Sequence, residues 1–469
     1  MQKNWVRKGL VIGILFLLLL SAFLVEGNVL VIEKMEPVRS SDQLNANDLH
    51  HSTSQWTIMY YMCGDSNMDD YTQPLLENLS KIGSTDDLNI VALTDNKKLG
   101  DSKLYYISES GEKIELNDIF GWPDEVDMSN TNTLELFCKQ MMEAYPAEHY
   151  AFITYASGGT GWQLYCIHDE TTKNRGVTIP VFTASLKNIV NSVNHKIDVL
   201  FVSCAMGMIE IAHEFAPYVD YMVATQDCFP HEHVVKRFYE SVWDLRNNTD
   251  MTPEEFASRA PARLQPESFY YQESYEGRLP LLNRILNMLP FPALHTVLHH
   301  PSSAVVNLSR VSDLSNAVNN LSSFLILHLH NDDVDEAIKK SRTNVEEYGK
   351  CYPKFWVFPR IKLRYCFEIF AYDCFVDLYD FVEILRDNIE NPDLNYLCSL
   401  VMEKLNETIP AIKATPGHPS HGLSIYFPSS KIMYNKYILR GIIPSSYEEL
   451  MFSHDTSWDD YLRGYLDIN

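Results

Sequence analysis

Five short apolar runs, four of them followed by an amphipathic stretch, constrain this chain more than any other feature. The runs cover residues 56–62, 88–94, 150–155, 197–203 and 221–225. They are rich in Val, Ile, Tyr, Phe and Thr, and in the fourth, IDVLFVS, four apolar residues follow one another without a break. A strand that is apolar on both faces must be covered on both faces, which is the situation inside a parallel sheet. Helix-period stretches at 69–82, 133–145, 208–215 and 234–242 lie between and after the runs. This alternation predicts an α/β fold with a mostly parallel central sheet and helices on both faces. It places any chemistry beyond the carboxyl ends of the strands.

After about residue 252 the pattern becomes more helical. Thr252 and Pro253 open one helix as cap and first-turn proline. Further helices are expected at 314–330, 334–341, 376–389 and 394–405. The acids Asp332, Asp333, Asp335 and Glu336 read as a helix N-terminus complementing its dipole. Near the end, 422–428 reads as a buried strand, followed by an amphipathic helix through Trp458 and Tyr465. The expected organisation is a leader at 1–27, a polar spacer at 28–55, a core at 56–250 and a helical, strand-ended part at 251–469.

The leader decides the compartment. Lys3, Arg7 and Lys8 precede an uncharged apolar run over residues 9–25. That length suits either a signal peptide cleaved after Gly27 or a short retained anchor. In both cases the basic flank stays inside and the rest of the chain crosses the membrane. The expected location is therefore extracytoplasmic, with membrane contact only through this segment if it is not cleaved. Lys plus Arg number 38 against 62 Asp plus Glu, a formal charge of −24. Such an acidic body repels phosphate backbones, so nucleic acid is not an expected partner. Nine cysteines without a C-x-x-C pair indicate neither a zinc site nor a dense disulfide framework. No metal or other cofactor is expected from the sequence.

Two strand ends stand out. The run YAFITYA leads directly into Ser157-Gly158-Gly159-Thr160-Gly161-Trp162, and IDVLFVS leads into Cys204-Ala205-Met206-Gly207. A Gly-rich turn lets backbone N–H groups approach an anion, and a strand-end cysteine is placed for nucleophilic attack. With these blocks the sequence resembles the clostripain family of cysteine peptidases, relatives of caspases and gingipains. The resemblance runs through WTIMYYMCGDSNMDD, NIVALTD, YPAEHYAFITYASGGTGW, IDVLFVSCAMGMIEIAHE, YMVATQD, VDLYDFVEIL, GLSIYFPSS and DTSWDDYLRGYL, in that order. It implies a caspase-like α/β/α sandwich, in agreement with the alternation above.

The resemblance implies a Cys–His dyad that is half present. Cys204 matches the family's nucleophile, within Ser203-Cys204-Ala205-Met206-Gly207-Met208-Ile209-Glu210. The family's His-Gly-Ser-Gly-Trp block, which carries the base, reads here Gly158-Gly159-Thr160-Gly161-Trp162, so glycine stands at the His position. Gly158 precedes Cys204 by 46 residues, close to the caspase-type separation of roughly 50. The Gly159 N–H remains a candidate oxyanion donor. The Asp that helps family members hold an Arg or Lys side chain is replaced by Val202, with Asp227 as the other acid to consider. His168, His231 and His233 are the candidates for a relocated base, whereas His149 precedes its strand and belongs to the opposite end. The stretch HTVLHH, with His295, His299 and His300, reads as surface, and Lys173 and Arg175 lie where family members are often cut. The expectation is an exported, catalytically degenerate homologue that binds a peptide or protein. The alternative is an active cysteine endopeptidase using Cys204 with a relocated histidine.

Overall fold

The computed structural model describes residues 53–66, 68–156, 161–163, 165–171, 176–202, 204–229, 231–263, 266–272, 296–348, 374–431, 434 and 446–468. The leader and most of the spacer lie outside these residues. Among the described residues, no helix is long and apolar enough to cross a membrane.

Nine strands form the central sheet. Its parallel centre is made of β1 (Ser54–Cys63), β2 (Leu88–Asp95), β5 (Ala147–Ala156), β6 (Ile197–Phe201) and β7 (Val219–Ala224). The hairpin strands β3 (Lys103–Ile107) and β4 (Lys113–Glu115) extend one edge. On the other edge, β10 (Ser302–Asn307) and β11 (Ala411–Ala414) continue it, each antiparallel to its inner neighbour. The order is β11-β10-β7-β6-β5-β1-β2-β3-β4. Two strands contributed by the region after residue 251 thus complete the same sheet.

The alternation of side chains along each strand feeds two cores, one per face. In β1, Met59, Tyr61 and Cys63 enter one core, and Trp56, Ile58, Tyr60 and Met62 enter the other. All seven are buried, so neither face tolerates a polar substitution. The second face is covered by α1 (Asp69–Ile82), α5 (His231–Asn247) and α6 (Pro253–Arg263) through Leu75, Leu79, Phe238, Val242 and Phe256. The first face carries α2 (Thr131–Ala144), α3 (Ile179–Val193) and α4 (Ile209–Phe215). The same core continues into α7 (Val311–Leu327), α8 (Asp332–Asn344), α9 (Leu378–Asp387), α10 (Pro392–Thr408) and α11 (Trp458–Tyr465). The architecture is the expected α/β/α sandwich. Asn331 caps the acidic start of α8 by accepting the Val334 N–H.

One sequence expectation is corrected here. The HTVLHH stretch is not all surface: residues Thr296–His299 form β9, which pairs with β8 (Phe269–Gln272). His299 is 1% exposed. A buried carboxylate, described below, compensates its polar ring.

Candidate active site

Strand register brings the chemistry-bearing positions to one edge. Cys63 of β1 lies level with Asp95 of β2 and Ala156 of β5. Phe201 of β6 lies level with Ile153 of β5 and Val223 of β7. Beyond those ends come Asp65, the loop that follows β5, Val202 and Cys204, and Thr225-Gln226-Asp227-Cys228. Because β10 is antiparallel, the residues before it, His299 and His300, reach the same edge. His149 sits at the opposite end as expected, its Nδ1 2.8 Å from Asp198 Oδ1.

The loop bearing Cys204 is held from both sides. Val202 N–H still donates to Val223 O at 3.2 Å, after which the chain leaves the ladder. Ala205 has φ +53°, a left-handed conformation that is costly for a residue with a Cβ. Thr225 stabilises it: its hydroxyl accepts the Ala205 N–H at 3.2 Å and its carbonyl accepts the Gly207 N–H at 2.8 Å. A Cβ on Gly207 would stand 2.8 Å from the Thr225 carbonyl carbon, so only glycine allows this approach. From the other side, Ser424 N–H donates to Gly207 O at 2.8 Å. Cys204 is partly exposed at this turn, while Cys63, Cys138, Cys166 and Cys398 are buried thiols.

Behind the turn, Glu210 opens α4 as a buried clamp. Its Oε1 accepts the Tyr426 N–H at 2.8 Å and the Tyr447 hydroxyl at 3.0 Å. Its Oε2 is buried without a donor. Burial pushes its carboxyl up to about 7 against these hydrogen bonds. Gly161 and Trp162, the end of the Gly-rich block, serve packing. Gly161 has φ +56° and lies where a Cβ would come within 2.5 Å of the Phe375 ring. Trp162 packs edge-on against Tyr426 and Tyr447, both at 5.1 Å between ring centroids.

Asp227 is committed inside the protein. Its Oδ1 lies 2.5 Å from His299 Nδ1 and accepts the Cys228 N–H at 2.8 Å. Its Oδ2 accepts the His300 N–H at 2.7 Å. Sequence reasoning missed His299, although an Asp and a His near neighbouring strand ends of opposite direction would have signalled the pair. Next to it, buried Gln226 donates to Asp377 Oδ2 at 2.9 Å and accepts the Gly422 N–H at 2.8 Å. Asp377 also holds His421, Nδ1 to Oδ1 at 2.8 Å. Val202 is fully buried in the apolar core.

Of the remaining positions, Ser157 to Thr160, and with them Gly158 and Gly159, lie outside the described residues, as do Lys173, Arg175 and His295. His231 and His233 belong to the first turn of α5, and their side chains are likewise outside the description. The backbone of His168 is tied to β1, its carbonyl accepting from Cys63 Sγ at 3.2 Å.

The model of the clostripain family matches residues 60–465. No curated protein matches the chain. Among solved structures, an inactive zymogen C11 protease from Parabacteroides distasonis is similar at a TM-score of 0.53 and 14% identity. That match covers 86% of this chain and 99% of the other. A secreted C11 cysteine protease from Bacteroides thetaiotaomicron, in complex with an irreversible peptide inhibitor, is similar at 0.53 and 13%, over 87% and 100%. At such identity the two structures speak to the fold, which they share with this chain.

Proposed function

The chain belongs to the clostripain family, and from that premise we propose that it is an exported, catalytically degenerate member that binds a peptide or protein. Cys204 occupies the nucleophile position and Gly158 the position of the base. Without a placed base, cysteine attack and protonation of the leaving amine forgo a contribution of roughly 10²–10⁴-fold. The observation that carries the reading is the state of the two acid positions. Val202 is an apolar core residue, and both carboxylate oxygens of Asp227 already hold His299, His300 and Cys228. A substrate guanidinium or ammonium brought there would have to displace His299 or go unpaired, and a buried unpaired charge costs several kcal/mol. The cleft therefore favours ligands without an obligatory Arg or Lys anchor. The leader and the secreted relative support export.

A second reading, an active endopeptidase, draws on the partial exposure of Cys204 and on α5 starting with His231 close behind the same sheet edge. A panel of fluorogenic peptides on the purified full chain and its Cys204→Ala variant separates the two. The degenerate reading expects no turnover in either. Turnover by the wild type that disappears in Cys204→Ala would overturn it.

A further inference from the structure

Where β9 turns into β10, three side chains from distant parts of the chain converge. His300 stands in that turn, Glu346 follows the end of α8, and His418 lies in the turn after β11. One ligand atom from each falls within 4.8 Å of one from each of the others. The two imidazoles stack face to face, with 3.3 Å between ring centroids and 17° between planes. His418 Nδ1 stands 3.7 Å from Glu346 Oε1, beyond hydrogen-bonding range.

Each residue is held in place by its own contacts. Asp227 Oδ2 accepts the His300 N–H at 2.7 Å, and the Ser268 hydroxyl lies 2.8 Å from His300 Nδ1. A partner on one ring nitrogen is how a metal-binding histidine is oriented, and it leaves Nε2 as the ligand atom. Asp380 Oδ2 accepts the Glu346 N–H at 2.7 Å, and Thr415 O accepts the His418 N–H at 3.2 Å. All three residues are partly exposed, so an ion and its water can reach them.

We propose that His300, Glu346 and His418 bind a divalent transition-metal ion, zinc being the best match. Two imidazoles and one carboxylate are a borderline donor set, unlike the all-oxygen shells of calcium and magnesium. Zinc takes nitrogen and oxygen ligands at about 2.0–2.2 Å, so tetrahedral neighbours stand about 3.4 Å apart. The 3.7 Å between His418 and Glu346 is already near that spacing. The stacked rings lie nearly parallel, and one must swing about its Cβ–Cγ bond to share the ion, which is a soft torsion. Water would take the fourth position, as in other sites with three protein ligands. Bound zinc would tie the β9–β10 turn to the end of α8 and to the turn after β11. It would do so whether or not Cys204 is catalytic.

The test is calorimetric titration of the purified full chain with zinc chloride after divalent ions are removed by chelator. The expected result is one zinc bound per chain, undiminished by excess calcium or magnesium. His300→Ala and His418→Ala should each weaken binding by roughly 100-fold or more, at or beyond the upper end of outer-shell losses. Cys204→Ala and Cys228→Ser should leave it intact, which separates this site from a thiol that captures zinc. Absence of zinc binding to the wild type would overturn the proposal, even if a histidine variant failed to fold. So would full binding retained in both histidine variants, or binding lost in either folded cysteine variant.

Discussion

Glu210 shows how a single residue beside the Cys204 turn couples stability to pH. Its carboxyl has an ordinary value of 4.5 and is pushed up to about 7 by burial. The folded state therefore holds a proton that the unfolded chain has already released between these values. Stability from this group is complete below about pH 4.5 and is lost as pH rises through 7, by roughly 3 kcal/mol in total. Glu210→Gln keeps an acceptor for Tyr426 and Tyr447 and has no charge to bury. Urea unfolding of wild type and variant between pH 5 and 8.5 should show the variant losing less stability with rising pH. Parallel pH dependences would show that Glu210 does not titrate in this way. Asp227 works differently: it is paired, so removing its charge in Asp227→Asn weakens the grip on His299. Denaturant unfolding should register a loss of about 3 kcal/mol, in the range for breaking buried pairs.

At the scale of elements, the site consists of strand ends held in register, and the strands were the readable part. The runs at 56–62, 88–94 and 150–155 became β1, β2 and β5 because burial on both faces leaves an unbroken apolar signature. Edge elements carry no such signature. β3 and β4 are not legible because their half-buried sides interrupt the pattern, and α3 is signalled only by Thr178 and Pro180 at its start. β9 is hidden for a physical reason: three histidines look hydrophilic until a buried partner such as Asp227 is known. At the site, Cys204 and Val202 were legible from the motif around them. The His299–Asp227 pair was not, because it joins residues 72 apart across an antiparallel neighbour. The location of Val202 gives an element-level prediction. Val202→Asp restores the acid of the family pattern, but inserts it into a core where the side chain is fully buried. It should destabilise the chain by about 3 kcal/mol or more without creating cleavage after Arg or Lys. Denaturant unfolding and an Arg/Lys peptide panel check both halves.

For the whole molecule, the α/β/α sandwich and the family are established, and the proposed function rests on the few positions that differ from the family's pattern. The fold still delivers a cysteine to the carboxyl edge of the sheet, a clamped turn beneath it, and the packing half of the Gly-rich block in Gly161 and Trp162. In the proposed reading the site lacks its base. By the resemblance, Gly158 stands where the family carries the histidine that transfers the proton. The most direct measurement is kcat/KM toward a fluorogenic peptide panel for wild type, Gly158→His and Gly158→His combined with Cys204→Ala. The wild type is expected at background, with a gain of roughly 10²-fold or more on restoring the imidazole and its loss when Cys204 is removed. A wild type that already cleaves, and that Gly158→His leaves unchanged, would contradict this reading.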